Sequence, residues 1–367
     1  MKKLTLYIIC FSTILLCSQA SAQQTDLSSA ASKALPAVVR IQSFVSDSLY
    51  VKHAKLATRM GIRSLGSGGS TLAGSASGVL VSPDGYILTN AHILNGGDSL
   101  VVILPDRRTY RAVLTGIDDE ADLALLKIPE NGLDFLEPGN PDHVKIGEPV
   151  LAVGNPLDLT STVTAGILSA RYRALDDRTT PARINSYLQT DAASNEGMSG
   201  SALVDRSGKL IGINSAIVSP SGTFAGYAFA IPGGVVKKAL HDLLAYGIVR
   251  HAYLDALFSD MDDVQYKKLD NKNLTGVLIT GVQRAGAGER AGLRREDVII
   301  RFDQHQIIAA PQLRELLAQS APGDSVKITV MRGSIALEIS VVLSGGKVDQ
   351  ARNLPGGWPA TRTNRIH

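Results

Sequence analysis

Between residues 76 and 232 the chain is built from short apolar runs, many of them alternating with polar positions, and broken by Gly, Pro and Asp. Gly78-Val79-Leu80-Val81 and Tyr86-Ile87-Leu88-Thr89 flank the turn residues Ser82-Pro83-Asp84-Gly85, which predicts a tight hairpin. Further strands are expected at 99–104, 111–116, 123–128, 149–153, 161–170, 188–191 and 201–204, and another opens at 208–213 after the turn Asp205-Arg206-Ser207-Gly208. Upstream, a small-residue helical start from Leu27 runs into the β-branched stretch Ala37-Val38-Val39-Arg40-Ile41, a first strand. Strands recurring roughly every ten residues, with Gly or Pro turns, argue for barrels or a sandwich and against βαβ units.

Pro232-Gly233-Gly234 ends that pattern, and a helical one replaces it over 235–245, with Val235, Val236, Ala239, Leu240, Leu243 and Leu244 on one side and Gly247 as the stop. A second unit follows from about Val249. Its pattern predicts strands around 276–282 and 298–302, a strand pair at 325–331 and 336–343, and helices around 288–291 and 311–319. Two stretches lack periodicity. Residues 46–74 are rich in Gly and Ser and read as a mobile surface loop. The polar tail 345–367, which contains the single tryptophan Trp358, reads as disordered.

Composition supports this division. Aromatics are 5% of the chain while Gly occurs 35 times, which suits short strands and tight turns better than a helical bundle. Residues 1–22 carry Lys2-Lys3, an apolar run over 4–16 and Ala20-Ser21-Ala22, the pattern of a secretory signal peptide. The alternative, an uncleaved anchor, needs a longer apolar run to span a bilayer. Cys10 and Cys17 both fall in this leader, so the mature chain is expected to hold no disulfide and no cysteine metal site, in a periplasmic or secreted location. The formal charge of +3 falls to about +1 without Lys2 and Lys3, which gives no reason to expect nucleic acid as a partner.

The candidate chemistry centres on Asn195-Glu196-Gly197-Met198-Ser199-Gly200-Ser201, a serine between glycines. A serine hydroxyl needs a base within hydrogen-bond reach, a carboxylate to orient that base, and donors aimed at the developing oxyanion. His92, at an expected strand end in Thr89-Asn90-Ala91-His92, and Asp122, ahead of the apolar Leu123-Ala124-Leu125-Leu126 that predicts its burial, supply the other two types. Asp118 and Asp119 are nearby carboxylates without that setting. His53, His143, His241, His251, His305 and His367 read as ordinary surface or packed histidines. No Gly-rich loop ending in Lys-Ser or Lys-Thr is present, so no built-in ATPase is expected, and no metal or other cofactor.

Residues 82–94 and 118–128, Gly154-Asn155-Pro156 with Val163-Thr164-Ala165-Gly166-Ile167, and Gln189-Thr190-Asp191-Ala192-Ala193 together resemble the HtrA (Deg) family of chymotrypsin-like serine proteases. The similarity spans roughly residues 28–344. It implies a mainly β fold: a chymotrypsin-like double β-barrel over 23–248, then a PDZ domain (α+β) over 249–344. By motif position it makes His92 the general base, Asp122 its orienter and Ser199 the nucleophile, with the N–H groups of Gly197 and Ser199 as the oxyanion hole. It also makes Ser215-Ala216-Ile217 the strand along which substrate adds; with Ile217 and Tyr227 where a trypsin-like pocket keeps small residues, small aliphatic P1 side chains are expected.

The second unit resembles a protease-linked PDZ domain through Gly276-Val277-Leu278-Ile279, Ala291-Gly292-Leu293 and Glu296-Asp297-Val298-Ile299. Its carboxylate-binding loop would be Tyr253-Leu254-Asp255-Ala256, where Asp255 replaces a usual Gly and is expected to restrict φ and to set a negative charge near a C-terminal peptide ligand. The nucleophile turn departs from the family too. Glu196 stands for a usual Pro, Met198 for Asn, and Ser201-Ala202 for Gly-Pro, which predicts a hole that forms less readily without removing a donor. The resemblance implies an ATP-independent endopeptidase of the cell envelope acting on unfolded polypeptide substrates, assembled as a homotrimer. The alternative is a catalytically impaired relative serving as a binding or holdase protein.

Overall fold

The computed structural model describes residues 26–46, 70–95, 97–139, 141–156, 161–175, 184–217, 224–262 and 275–346. The expected leader, Trp358, most of the expected 46–74 loop and the tail from 347 onward lie outside the described residues.

A short helix, α1 (Ser28–Ala34), leads into the first of two closed six-stranded barrels. That barrel comprises β1 (Val38–Ser46), β2 (Ser70–Leu80), β3 (Tyr86–Thr89), β4 (Ser99–Ile103), β5 (Thr109–Asp118) and β6 (Leu123–Lys127) in the order β1-β2-β3-β6-β5-β4. The non-periodic stretch expected as a loop over 46–74 is strand at both of its described ends. Residues 70–74 extend β2, which pairs with β1 through Ser46↔Ser70 across a register shift at Ser43/Phe44, and backbone pairing accepts the small residues there.

The second barrel comprises β7 (Pro149–Gly154), β8 (Thr162–Arg173), β9 (Tyr187–Thr190), β10 (Ala202–Asp205), β11 (Leu210–Ile217) and β12 (Ala228–Pro232), ordered β10-β11-β12-β9-β8-β7. Every residue of β12 is buried, which a strand closing a barrel behind a covering helix requires. That helix, α2 (Gly233–Tyr246), starts after Pro232 and ends at Gly247, whose φ of 73° supplies the left-handed cap. It packs on β5 and β6 of one barrel and β11 and β12 of the other, so Val235, Val236, Ala239, Leu240 and Leu243 join one core with both. The interior of the second barrel adds a cluster that includes Val150, Leu168, Met198 and Leu203.

The third unit has its own core. A sheet ordered β14-β15-β16-β18-β19 is formed by β14 (Ala256–Asp260), β15 (Val277–Val282), β16 (Val298–Phe302), β18 (Ser325–Arg332) and β19 (Ile335–Val342), with β17 (His305–Gln306) beside β16. Helices α3 (Ala287–Ala291) and α4 (Ala310–Gln319) complete it, while β13 (Ala252–Tyr253) pairs with β20 (Ser344–Gly345) and draws the two ends together. Strand β14 was not expected from the sequence. Its pattern is only half-buried, because the opposite side of the strand borders an open groove. The architecture is the expected one: two six-stranded β-barrels of the chymotrypsin type followed by a PDZ domain.

Candidate active site

The first part of the site stands where two connections of the first barrel meet. After β3 the chain passes through the buried, extended Asn90 into a single 3₁₀ turn, Ala91–Leu94, that carries His92. The β5–β6 turn is closed by Asp118, whose Oδ1 accepts the backbone N–H groups of Glu120 (3.0 Å) and Ala121 (3.3 Å). Asp122 follows at φ 56°, a left-handed conformation that Asp tolerates better than most residues. Its carbonyl accepts from Ala91 N–H at 3.2 Å and from Asn90 Nδ2 at 3.1 Å, so the two turns are stitched together.

Three donors meet on the Asp122 carboxylate: His92 N–H (2.9 Å, to Oδ1), His92 Nδ1 (2.8 Å, to Oδ2) and Ser215 Oγ (2.9 Å, to Oδ2). A carboxylate can only accept, so Nδ1 carries the proton, and in a neutral ring Nε2 is left with its lone pair. Asp122 is 3% exposed, the burial that its apolar followers predicted. The His92 side chain keeps 38% of its surface exposed.

Across the cleft the second barrel presents the 195–201 turn. Gly197 at φ 90° and Gly200 at φ 81° adopt the left-handed region that glycine favours. Met198 N–H donates to the Asn195 carbonyl (2.9 Å), Ser201 N–H to Met198 (2.9 Å) and Gly200 N–H to Asn214 (2.8 Å). The Ser199 hydroxyl is half-buried and donates to the Ser215 carbonyl at 3.4 Å; among the described residues no hydrogen bond joins it to the His92 ring.

The three departures in this turn are absorbed in different ways. Glu196 is exposed, where water screens its charge. Met198 is 1% exposed and packs into the second barrel's interior. Ser201 is fully buried, and its Oγ accepts from Asn214 Nδ2 at 2.8 Å. Room for both comes from Gly154: a Cβ there would lie 2.6 Å from Met198 Sδ and 2.7 Å from Ser201 Cβ.

Beside Ser199, Ser215-Ala216-Ile217 closes β11, where Ala216 pairs with Phe229 and Ile217 with Ala228. Tyr227 is exposed just ahead of β12. The Ser215 hydroxyl on Asp122 is a contact that sequence reasoning missed: it considered Ser215 only for its place on the strand, and a hydroxyl's partner across the cleft leaves no local signal.

In the PDZ domain, Asp255 takes φ 51°, in the left-handed region that glycine adopts freely and Asp tolerates better than most residues. Its Oδ2 accepts the Ala287 N–H at 2.9 Å, which turns the carboxylate toward α3. The backbone next to it is braced as well, with Gly288 N–H on the Leu254 carbonyl and Gln283 N–H on that of Asp255. Tyr253, Leu254, Asp255 and Ala256 border a cavity of about 510 Å³ that also touches Val282, Phe258 and, from the first barrel, Glu120.

Two further contacts join this region to the β5–β6 turn. Tyr253 Oη donates to Glu120 Oε1 (2.7 Å) and His251 Nε2 pairs with Asp118 Oδ1 (2.8 Å). Burial would lower the His251 pKa, but the Asp118 hydrogen bond and charge outweigh it and hold the imidazole above its ordinary value. His251 is thus a packed histidine with an ionic partner. Among the described residues no cluster of three His, Cys, Asp or Glu could hold a metal ion, and no helix is long and apolar enough to cross a membrane.

Residues 76–213 match the trypsin-like peptidase domain family, and residues 258–343 match the PDZ domain family. The structure of the HtrA-type protease AlgW with tripeptide superposes with a TM-score of 0.66 at 31% identity, covering 88% of this chain and 97% of that one. The chain belongs to the HtrA family. Within it, the probable periplasmic DegP-like serine endoproteases of Chlamydia trachomatis and of a Marinomonas species are 35% and 38% identical over 268 residues, or 73% of this chain. The serine endoprotease of Yersinia pestis aligns with a TM-score of 0.55 at 29% identity, covering 88% of this chain and 98% of that structure. The chain spans about half the length of the curated relatives it matches, 53% of the Chlamydia protein.

Proposed function

We propose that this HtrA-family chain is a serine endopeptidase of the cell envelope that cleaves unfolded proteins without ATP. The observation that carries the reading is the Asp122 carboxylate, which holds both His92 N–H and His92 Nδ1 within 2.9 Å and also accepts from Ser215, the residue whose carbonyl Ser199 Oγ contacts. In the proposed reaction His92 Nε2 takes the Ser199 proton as Oγ attacks the scissile carbonyl carbon. The N–H groups of Gly197 and Ser199 stabilise the oxyanion, and His92 then hands the proton to the leaving amine. Water, activated by the same imidazole, hydrolyses the acyl-enzyme. Each hole donor is worth on the order of 10² to 10³ in rate.

Substrate would add along Ser215-Ala216-Ile217 as a β-strand, with small aliphatic side chains at P1. A peptide-library profile dominated by Lys, Arg or Phe contradicts that preference. The left-handed Asp255 and the engagement of its carboxylate by Ala287 support a PDZ loop that receives a C-terminal peptide, and the AlgW structures were determined with peptides. Free-acid peptides are expected to bind tighter than their amides; equal affinity means that the carboxylate is not read. The relatives' description as periplasmic supports an envelope location, with 1–22 as the signal peptide, 23–248 as the protease domain and 249–344 as the PDZ domain, which the β13–β20 pairing extends to Gly345, ahead of the tail. A homotrimer is expected from the family, and light scattering tests it.

One observation favours the second reading, a binding or holdase protein: the Ser199 hydroxyl rests on the Ser215 carbonyl at 3.4 Å and not on the base. Casein cleavage by wild type and by Ser199→Ala in parallel separates the two. The endopeptidase reading expects cleavage by the wild type only; protection of casein from aggregation without cleavage supports the holdase.

A further inference from the structure

We propose that Ser77, on the first barrel, is a positioning residue that holds the 197–199 turn in its working shape. The inference rests on the endopeptidase reading above. Ser77 lies near the end of β2 and is fully buried. Its N–H donates to the Ser199 carbonyl at 2.9 Å, and its Oγ donates to the Gly197 carbonyl at 2.7 Å. The same Oγ accepts the Asn155 N–H, just after β7 of the second barrel, at 2.8 Å. Its own carbonyl accepts from Thr89 Oγ1 at 2.8 Å, three residues before the base. One serine therefore ties both residues proposed for the oxyanion hole to strands of each barrel.

The geometry explains why a hydroxyl is needed there. The carbonyls of Gly197 and Ser199 are taken by Ser77, and that of Met198 by Ser201 N–H at 2.9 Å. In a planar trans peptide the N–H points opposite to the preceding C=O, so pinning the Met198 carbonyl aims the Ser199 N–H. The 197–198 peptide sits between the two units that bear the proposed donors, and Gly197, without a Cβ, leaves its own ψ free to let that peptide turn. Met198 N–H on the Asn195 carbonyl (2.9 Å) holds one edge of this peptide, and Ser77 Oγ is the side-chain group that holds the other, its carbonyl. The fit on the other side is as close: a Cβ on Gly200 would lie 2.2 Å from the Ser77 carbonyl oxygen, so the turn cannot slide along β2.

Loss of the hydroxyl leaves the triad in place and loosens the hole. Ser77→Ala is expected to lower kcat roughly tenfold to a hundredfold, with KM within about threefold of wild type. A peptide boronic acid, whose tetrahedral adduct uses the hole, is expected to weaken in parallel with kcat/KM, while a product-like peptide that does not use it keeps its affinity. Should the alanine variant melt below the assay temperature, Ser77→Cys, similar in shape with a weaker hydrogen bond, carries the same measurement and is expected to show the same split. A folded variant with wild-type kcat, or one in which boronate and product peptide weaken equally, overturns the positioning role while leaving the endopeptidase reading intact. A wild type that neither cleaves casein nor binds the boronate overturns both.

Discussion

On the first barrel the Asp122 carboxylate is held by three donors within 2.9 Å, whereas the Ser199 hydroxyl of the second barrel has, among the described residues, one partner at 3.4 Å. The difference fits the roles proposed for the two sides. An orienting carboxylate works by not moving, so burial and convergent hydrogen bonds suit it. A nucleophile must leave its resting partner to reach the carbonyl carbon, so a weak bond to a backbone oxygen is a small obstacle. The turn around Ser199 is nevertheless firm, because its carbonyls are pinned by Ser77 and Ser201. The side chain is loosely held on a backbone that is tightly held.

The comparison breaks most sharply at Asp122. Asp122→Asn replaces one acceptor oxygen with a donor and favours the wrong His92 tautomer, and kcat is expected to fall on the order of 10⁴-fold. Steady-state peptide hydrolysis checks it, and a loss under tenfold would mean that His92 is oriented by something else.

The next effect tests stability at the contact between the two domains. Glu315, on α4, is 3% exposed and its Oε2 accepts from Ser186 Oγ of the second barrel at 2.9 Å. Burial pushes its carboxyl up to about 7, with the Asp142 charge adding to the rise and the Ser186 bond and Arg171 opposing it. The folded state thus holds this proton more tightly than the unfolded chain. Its contribution is full below about pH 4.5, is lost as pH rises toward 7, and is flat above that. Glu315→Gln is therefore expected to gain up to about 3 kcal/mol over wild type between pH 5 and pH 8, roughly a hundredfold in the unfolding constant. Urea titrations at the two pH values read it, and a variant that loses ground at pH 8 contradicts the assignment.

Ser215→Ala removes one of three donors to Asp122 and leaves the carbonyl that Ser199 contacts. A charge-assisted hydrogen bond of this kind predicts a kcat loss of roughly tenfold, well short of that at Asp122. Smallest is Asp255→Gly. The residue already adopts a glycine-like φ with its carboxylate turned to Ala287, so the Kd of a C-terminal peptide is expected to stay within about threefold, by isothermal titration. A tenfold gain would mean that the Asp255 charge repels the ligand.

Much of this was legible in the sequence because it is encoded locally. Alternating runs and Ser-Pro-Asp-Gly-type turns gave the barrel strands, Pro232 and Gly247 bounded α2, and the settings of His92, Asp122 and Ser199 pointed to the residues proposed for the site. Contacts between distant residues were not legible. Ser77 looks like any strand serine, yet all its polar groups are committed across both barrels. His251 looks ordinary until the fold sets it on Asp118, and nothing near Asp255 in the sequence announces the Ala287 N–H that its carboxylate accepts. The space that Met198 and Ser201 fill was equally hidden, because the missing side chain that opens it, that of Gly154, lies far away in the sequence.

The central claim is that Ser199, activated by His92, is the nucleophile. Its most direct test is fluorophosphonate labelling of the wild-type chain, read by intact mass and peptide mapping, with Ser199→Ala and His92→Ala alongside. The account predicts one adduct, on Ser199, absent from Ser199→Ala and strongly slowed in His92→Ala. An unlabelled wild type, or an adduct at another residue, would contradict it.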